Sequence, residues 1–243
     1  AGIPQSASGQ ATILTGVNGA KYLGNHLRGF PNKKLRELIK RENIYGKLST
    51  LGLTGTFANV YRPDFFSKYI SQEKYHSVTT TAALANRFSL RTIEDLLQGN
   101  GVYQDITNHL LIKQGVDVSL VEPVEAGHRI GTISGHYDFT LFEYFQSDLA
   151  GHQQDYPKIQ SILSTLDSLI AGIINSIDLT NTVVIITSDH GNIEDISHNH
   201  HTENPVPTLI ISEAEEAHAI PVFSLEDITP LILELVQIRR NRK

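Results

Sequence analysis

The chain has 243 residues, 40% of them hydrophobic, enough to bury a full core as one domain with room for a smaller inserted one. A net charge of -6 argues against nucleic acid as the main partner, no apolar run is long enough to cross a bilayer, and no signal-peptide pattern stands at the start. The absence of cysteine excludes disulfides and fits a cytoplasmic protein.

In chain order, small and polar residues from Pro4 to Gly9 precede an apolar helical stretch. Ser6 at such a helix start would meet unpaired N–H groups and the positive end of the helix dipole, which favour a phosphate and an alkoxide. Ser8 is a rival for the same role, and an ordinary N-cap is the alternative for both. Leu35, Leu38, Ile39, Ile44, Leu48 and Leu51 have helical spacing, and Gly52 closes that helix. Residues 55–61 read as a strand, after which the rhythm is lost. Residues 62–131 are rich in Thr, Asn, Gln and aromatic side chains, and are expected to form a cap inserted into a core made of 1–61 and 132–243. The core resumes with a strand over 137–145, an amphipathic helix over 157–177, strands at 183–187 and 207–211, and a last helix through Leu235. Ser224-Leu225-Glu226-Asp227 opens that helix as a capping box with Asp in place of the usual Glu, and the basic tail 239–243 is expected to be a solvated end.

Two of these strands lead into metal-ligand residue types. Asp148 and His152 follow the 137–145 strand, and a helical turn between them would put both on one face. Gly151 is expected to leave room for the backbone near a metal. Asp189 and His190 emerge at the carboxyl end of the buried run Val183–Thr187, where open α/β sheets place their chemistry. One hard oxygen and one imidazole nitrogen suit zinc or manganese better than calcium or magnesium. A polar loop then leads to His201-Thr202-Glu203-Asn204-Pro205-Val206-Pro207.

Ser6 with Gly9, Asp148 with His152, Thr187-Ser188-Asp189-His190-Gly191-Asn192, and His201 through Pro207 together resemble the alkaline phosphatase superfamily. The likeness is greatest to its phosphoglycerate-mutase-like and phosphodiesterase-like branch, and the motifs follow the family's order. The resemblance implies an α/β alkaline-phosphatase-like sandwich, a central and mostly parallel sheet flanked by helices, with a small inserted cap. It implies two divalent ions, zinc or manganese, one held by Asp148, His152 and His201, the other by Asp189, His190 and the Ser6 oxygen. The function expected from it is hydrolysis of a phosphate mono- or diester on a small phosphorylated substrate, through Ser6 and a phosphoserine intermediate. The alternatives are a cofactor-independent phosphomutase, or a non-catalytic metal-binding relative. Asn192, Asn204 and Arg62 are candidate supporting or substrate residues. Arg87, Arg91, His76, His128 and Arg129 are further cap candidates, without a motif that marks them as a clamp. The sulfatase signature of Cys or Ser followed by x-Pro-x-Arg does not occur around Ser6.

One departure stands out. The family's second metal site also takes an Asp from a strand that precedes the nucleophile, and the first thirty residues contain no Asp or Glu. Either the chain is incomplete or the second site is deficient; the complete absence of methionine favours incompleteness.

Overall fold

The computed structural model describes residues 2–240. Its elements in chain order are α1 (Ser6–Thr15), α2 (Gly19–Leu23), α3 (Lys33–Glu42), α4 (Ile44–Thr50), β1 (Gly55–Phe57), α5 (Val78–Ala85), α6 (Ile93–Leu97), α7 (His109–Lys113), α8 (Pro123–Ser134), β2 (Phe139–Leu141), α9 (Gln146–Gln153), α10 (Tyr156–Ile174), β3 (Val184–Thr187), β4 (Thr208–Ile211) and α11 (Ile228–Arg240). No helix among the described residues is long and apolar enough to cross a membrane.

The architecture is α/β, but a single central sheet is absent from the described residues. β1 pairs with β2 in parallel, as the long crossover through α5 to α8 requires, while β3 pairs antiparallel with β4 in a separate sheet. β3 also fails the expectation of a fully buried strand. All four of its residues are partly exposed, and Leu209 on its partner is 53% exposed. The pair is covered mainly by the cluster of Ala217, Leu231 and Leu235 from the chain's last third.

α1 buries Ala7, Ala11 and Leu14 in the main core, and its small Ser8, Gly9 and Thr12 are buried as well and let it sit deep in the structure. It packs on α3 and α5, in a core that α4 shares, around Leu35, Leu38, Ile39, Ile44, Tyr45, Leu48, Val78 and Ala82. The single helix expected over 35–51 is in fact two. Asn43 ends α3, and its side chain accepts the Gly46 N–H at 3.1 Å to start α4, so the cap preference of Asn overrides an apolar period that runs on through it. Within the segment 62–131 expected as a cap, some residues pack with the main core. Val78 and Ala82 of α5 belong to the main core, and α8 lies against α10. A Cβ at Gly127 would come within 2.8 Å of Gly172 Cα, which shows how closely these two helices approach. In the stretch of chain before α8, Leu96, Tyr103 and Leu111 form a small cluster of their own with Val60.

The capping box at Ser224 and Asp227 forms as expected, and the helix beyond it continues to Arg240 rather than stopping at Leu235. Arg239 in its last turn bonds Asn181 at 3.0 Å, and residues 241–243 of the basic tail lie outside the described residues.

Candidate metal centre and nucleophile

α9 carries Asp148 and His152 one turn apart, and the loop after β3 brings His201 to the same point. Asp148 Oδ1 lies 3.4 Å from His152 Nε2 and 3.3 Å from His201 Nε2, and the two imidazole nitrogens are 3.2 Å apart. A four-coordinate ion with bonds of about 2.0–2.1 Å holds its ligand atoms about 3.3–3.4 Å from one another. The near-equilateral triangle therefore fits one such ion.

The ring orientation points the same way. His201 Nδ1 donates to the Pro4 carbonyl and His152 Nδ1 to the Asn199 carbonyl, each at 2.8 Å. A carbonyl only accepts, so each Nδ1 carries a proton and each ring turns its Nε2 towards Asp148. Two imidazole nitrogens and a carboxylate converging on one point make a candidate cation site. Asn192 Nδ2 donates to Asp148 Oδ1 at 2.7 Å and fixes the carboxylate. Burial works against ionisation of Asp148, yet the hydrogen bonds from His201 and Asn192 hold its carboxyl below the usual range. Burial also opposes the charge on His201, and its bonds to Asp148 and Pro4 overcome this to raise it.

Ser6 is the first residue of α1, with Gln5 before it in extended backbone and no side-chain cap, so neither Ser6 nor Ser8 has an N-cap role. Ser6 Oγ lies 2.9 Å from His190 Nε2. His190 stacks on His201 with ring centroids 3.6 Å apart, and its Nε2 is 3.6 Å from Asp189 Oδ2 and 3.9 Å from Asp148 Oδ1. The two ligand sets are thus adjacent. Burial, together with the neighbouring His201, lowers His190 to about 4, and burial raises Asp189 to about 6 with the Asp148 charge adding to it. Among the described residues the second set has no third carboxylate or imidazole comparable to the first.

Ser8, the rival nucleophile, is 1% exposed and committed to structure; its hydroxyl donates to the Gln5 carbonyl at 2.9 Å and accepts from Leu27 N–H. Asn204 does not face the cluster's ligands. It donates to Glu194 Oε1 at 3.2 Å, and Glu194 also accepts from the Asn192 N–H at 2.7 Å and from Thr202. Arg62 has partners of its own, Gln114 at 2.6 Å and Asp64 at 3.4 Å, and no hydrogen bond or ion pair joins it to the cluster. The room at Gly151 serves Asn192 instead of a metal, because a Cβ there would run into the Asn192 amide.

Sequence reasoning missed Glu194, Glu143 and Gln10. Glu194 had no motif to mark it. Glu143 did carry a signal, as the one charge inside the apolar run Phe139–Phe145.

A family model described as the metalloenzyme superfamily matches residues 70–240. Among curated relatives, the 2,3-bisphosphoglycerate-independent phosphoglycerate mutase of Ehrlichia canis (strain Jake) is 32% identical over 114 residues, 44% of this chain and 23% of that protein. The protein of the same name from Desulforudis audaxviator (strain MP104C) is 31% identical over 106 residues, 41% of this chain and 21% of that one. The matched segments thus span less than a quarter of these relatives' length. A solved structure of a Pyrococcus horikoshii protein superimposes with a TM-score of 0.51 at 17% identity, covering 78% of this chain and 51% of that one, a likeness of fold. With the family model matching well over half of its length, the chain belongs to the metalloenzyme superfamily.

Proposed function

We propose that this chain carries the phosphoryl-transfer site of a metal-dependent phosphomutase of the phosphoglycerate-mutase type, acting on a small phosphorylated substrate. The observation that carries the reading is the Asp148, His152 and His201 triangle standing beside a serine at a helix start. The names of the relatives favour a mutase over the hydrolase that the motifs alone suggested. Divalent ions, zinc or manganese by the character of the donors, would supply positive charge for the phosphate and for the serine oxygen. Asp148, His152 and His201 would hold one, and Asp189, His190 and Ser6 the other.

The residues divide the remaining work. Ser6 Oγ forms the new P–O bond while the substrate's ester oxygen departs with the old one, leaving a phosphoserine. The unpaired N–H groups at the start of α1 meet the phosphate. Return of the phosphoryl group to a second hydroxyl of the same substrate completes a mutase cycle, and transfer to water completes hydrolysis. One feature favours the second outcome: the His152 side chain is 40% exposed and that of Asp148 29%, so water reaches this edge of the site.

The test is incubation with a monophosphoglycerate and added manganese or zinc, followed by peptide mass spectrometry and a phosphate-release assay. The proposal expects phosphate on Ser6 and isomerised substrate without stoichiometric release. Ser6→Ala should lose the phosphopeptide and keep its first-set metal, whereas His201→Ala should lose metal. Phosphate release without isomerisation would establish the hydrolase, and a metal-loaded protein that never labels Ser6 would overturn the nucleophile assignment.

A further inference from the structure

Glu143 lies just beyond β2, outside both ligand sets, yet four elements meet on it. Asn59, just beyond β1, clamps its backbone in both directions, accepting the Glu143 N–H at 2.8 Å and donating to the Glu143 carbonyl at 2.7 Å. Its carboxylate accepts from Gln10 Nε2 of α1 at 3.0 Å and from Thr79 Oγ1 of α5 at 2.8 Å. Gln10 is four residues after Ser6 and therefore on the same face of α1. Gly9, next to Gln10, brings the helix so near the Asp189 main chain that a Cβ would lie 3.0 Å from the Asp189 carbonyl carbon.

α1 already buries Ala7, Ala11 and Leu14 in the main core, and these polar contacts add a fixed tie on the face that carries Ser6. A roll of the helix would swing Ser6 Oγ away from His190 Nε2. We propose that Glu143 is a positioning residue: through Gln10 it sets the roll of α1 and so holds Ser6 against His190 and Asp189. The inference rests on Ser6 as the nucleophile of the proposed phosphoryl transfer, and its test includes a readout that does not need turnover.

In Glu143→Ala the carboxylate is lost and the Gln10 amide is left without this acceptor. In Glu143→Gln the amide oxygen still accepts from Gln10, and Thr79, whose hydroxyl can donate or accept, still pairs with the new amide. The metal-free protein is followed by NMR of the His190 ring nitrogens, with Ser6→Ala defining the signal that reports loss of the Ser6 contact. Glu143→Ala and Gln10→Ala are expected to move the His190 signal in the direction of Ser6→Ala, and Glu143→Gln to leave it near wild type. In turnover, Glu143→Ala should lower kcat by about 100-fold with KM within about threefold, as expected for a misplacement on the order of 1 Å. Glu143→Gln should recover most of the loss, and the Gln10→Ala Glu143→Ala double variant should be no worse than the weaker single. If Glu143→Ala is unfolded, Gln10→Ala carries the test from the other side of the same bond. An unchanged His190 signal in folded Gln10→Ala and Glu143→Ala overturns the proposal. A wild-type protein that never labels Ser6, with the His190 shifts still present, overturns the function reading and leaves the positioning role standing.

Discussion

Replacing Gly9 by alanine adds one methyl group at the point where α1 touches the metal loop. A Cβ built there lies 3.0 Å from the Asp189 carbonyl carbon and 3.1 Å from Asp189 Cβ, and nearer still to the carbonyl oxygen. The obstacle is main chain, so no rotamer change relieves it; α1 and the Asp189 loop must separate by on the order of 1 Å to restore van der Waals contact. Overpacking of this kind costs roughly 1–3 kcal/mol, partly offset by the better helix propensity of alanine at about 1 kcal/mol. Net destabilisation should therefore be small, about 0–2 kcal/mol by chemical denaturation. The consequence for chemistry is larger, since the displacement acts directly between Ser6 and its partners, and a 1 Å error in a reacting pair costs on the order of 100-fold. The first metal set does not lie on α1, so binding at Asp148, His152 and His201 should survive. A stable Gly9→Ala protein with Ser6 phosphorylation within about threefold of wild type would refute the argument that this contact positions the nucleophile.

Gly151→Ala is the complementary case, because its Cβ meets the side-chain amide of Asn192 and not a backbone. Asn192 can swing aside, which releases its hydrogen bond to Asp148; we expect first-set metal affinity to fall by about 10-fold or more by competition with a chelator, while thermal stability changes little. The pH dependence of stability in chelator-treated protein is a further check. Burial pushes Glu143 up from 4.5 to about 7, so the folded state takes up its proton more readily than the unfolded chain and loses stability as pH rises from about 4.5 through 7. That shift corresponds to about 3 kcal/mol at most, and partial solvent contact reduces it to about 1–2 kcal/mol. Glu143→Gln should flatten this part of the curve. A wild-type curve that rises over the same window, or one that the variant leaves unaltered, would contradict the assignment.

Legibility in the sequence followed the range of the interaction involved. Asp148 and His152 were readable because one helical turn fixes their relation, and Asp189 and His190 because they end an apolar strand. The choice between Ser6 and Ser8 was not readable, since both precede the same helix and only packing shows that Ser8 turns inward to Gln5 and Leu27. The sheet was readable as strands but not as an architecture: an apolar run such as Val183–Thr187 states what a strand can bury, while its neighbours are set by distant segments. Hence one expected parallel sheet became a parallel pair and an antiparallel pair. Asn43 is the reverse case, a local cap that interrupts an apolar period running on through it.

The unequal completeness of the two ligand sets bears on how the site is organised. The first set draws on α9 and the His201 loop, and both of its imidazoles are oriented by backbone carbonyls, so its geometry is fixed before any ion arrives. The second set depends on α1, whose seat is fixed by Gly9, Gln10 and Glu143, none of which is itself among the assigned ligands. A perturbation of α1 should therefore separate metal binding from phosphoryl transfer. A perturbation of α9 or of Asn192 should instead weaken the first ion together with everything that relies on its charge, because Asp148 Oδ1 stands within 3.9 Å of His190 Nε2 and so belongs to the electrostatics of both sets.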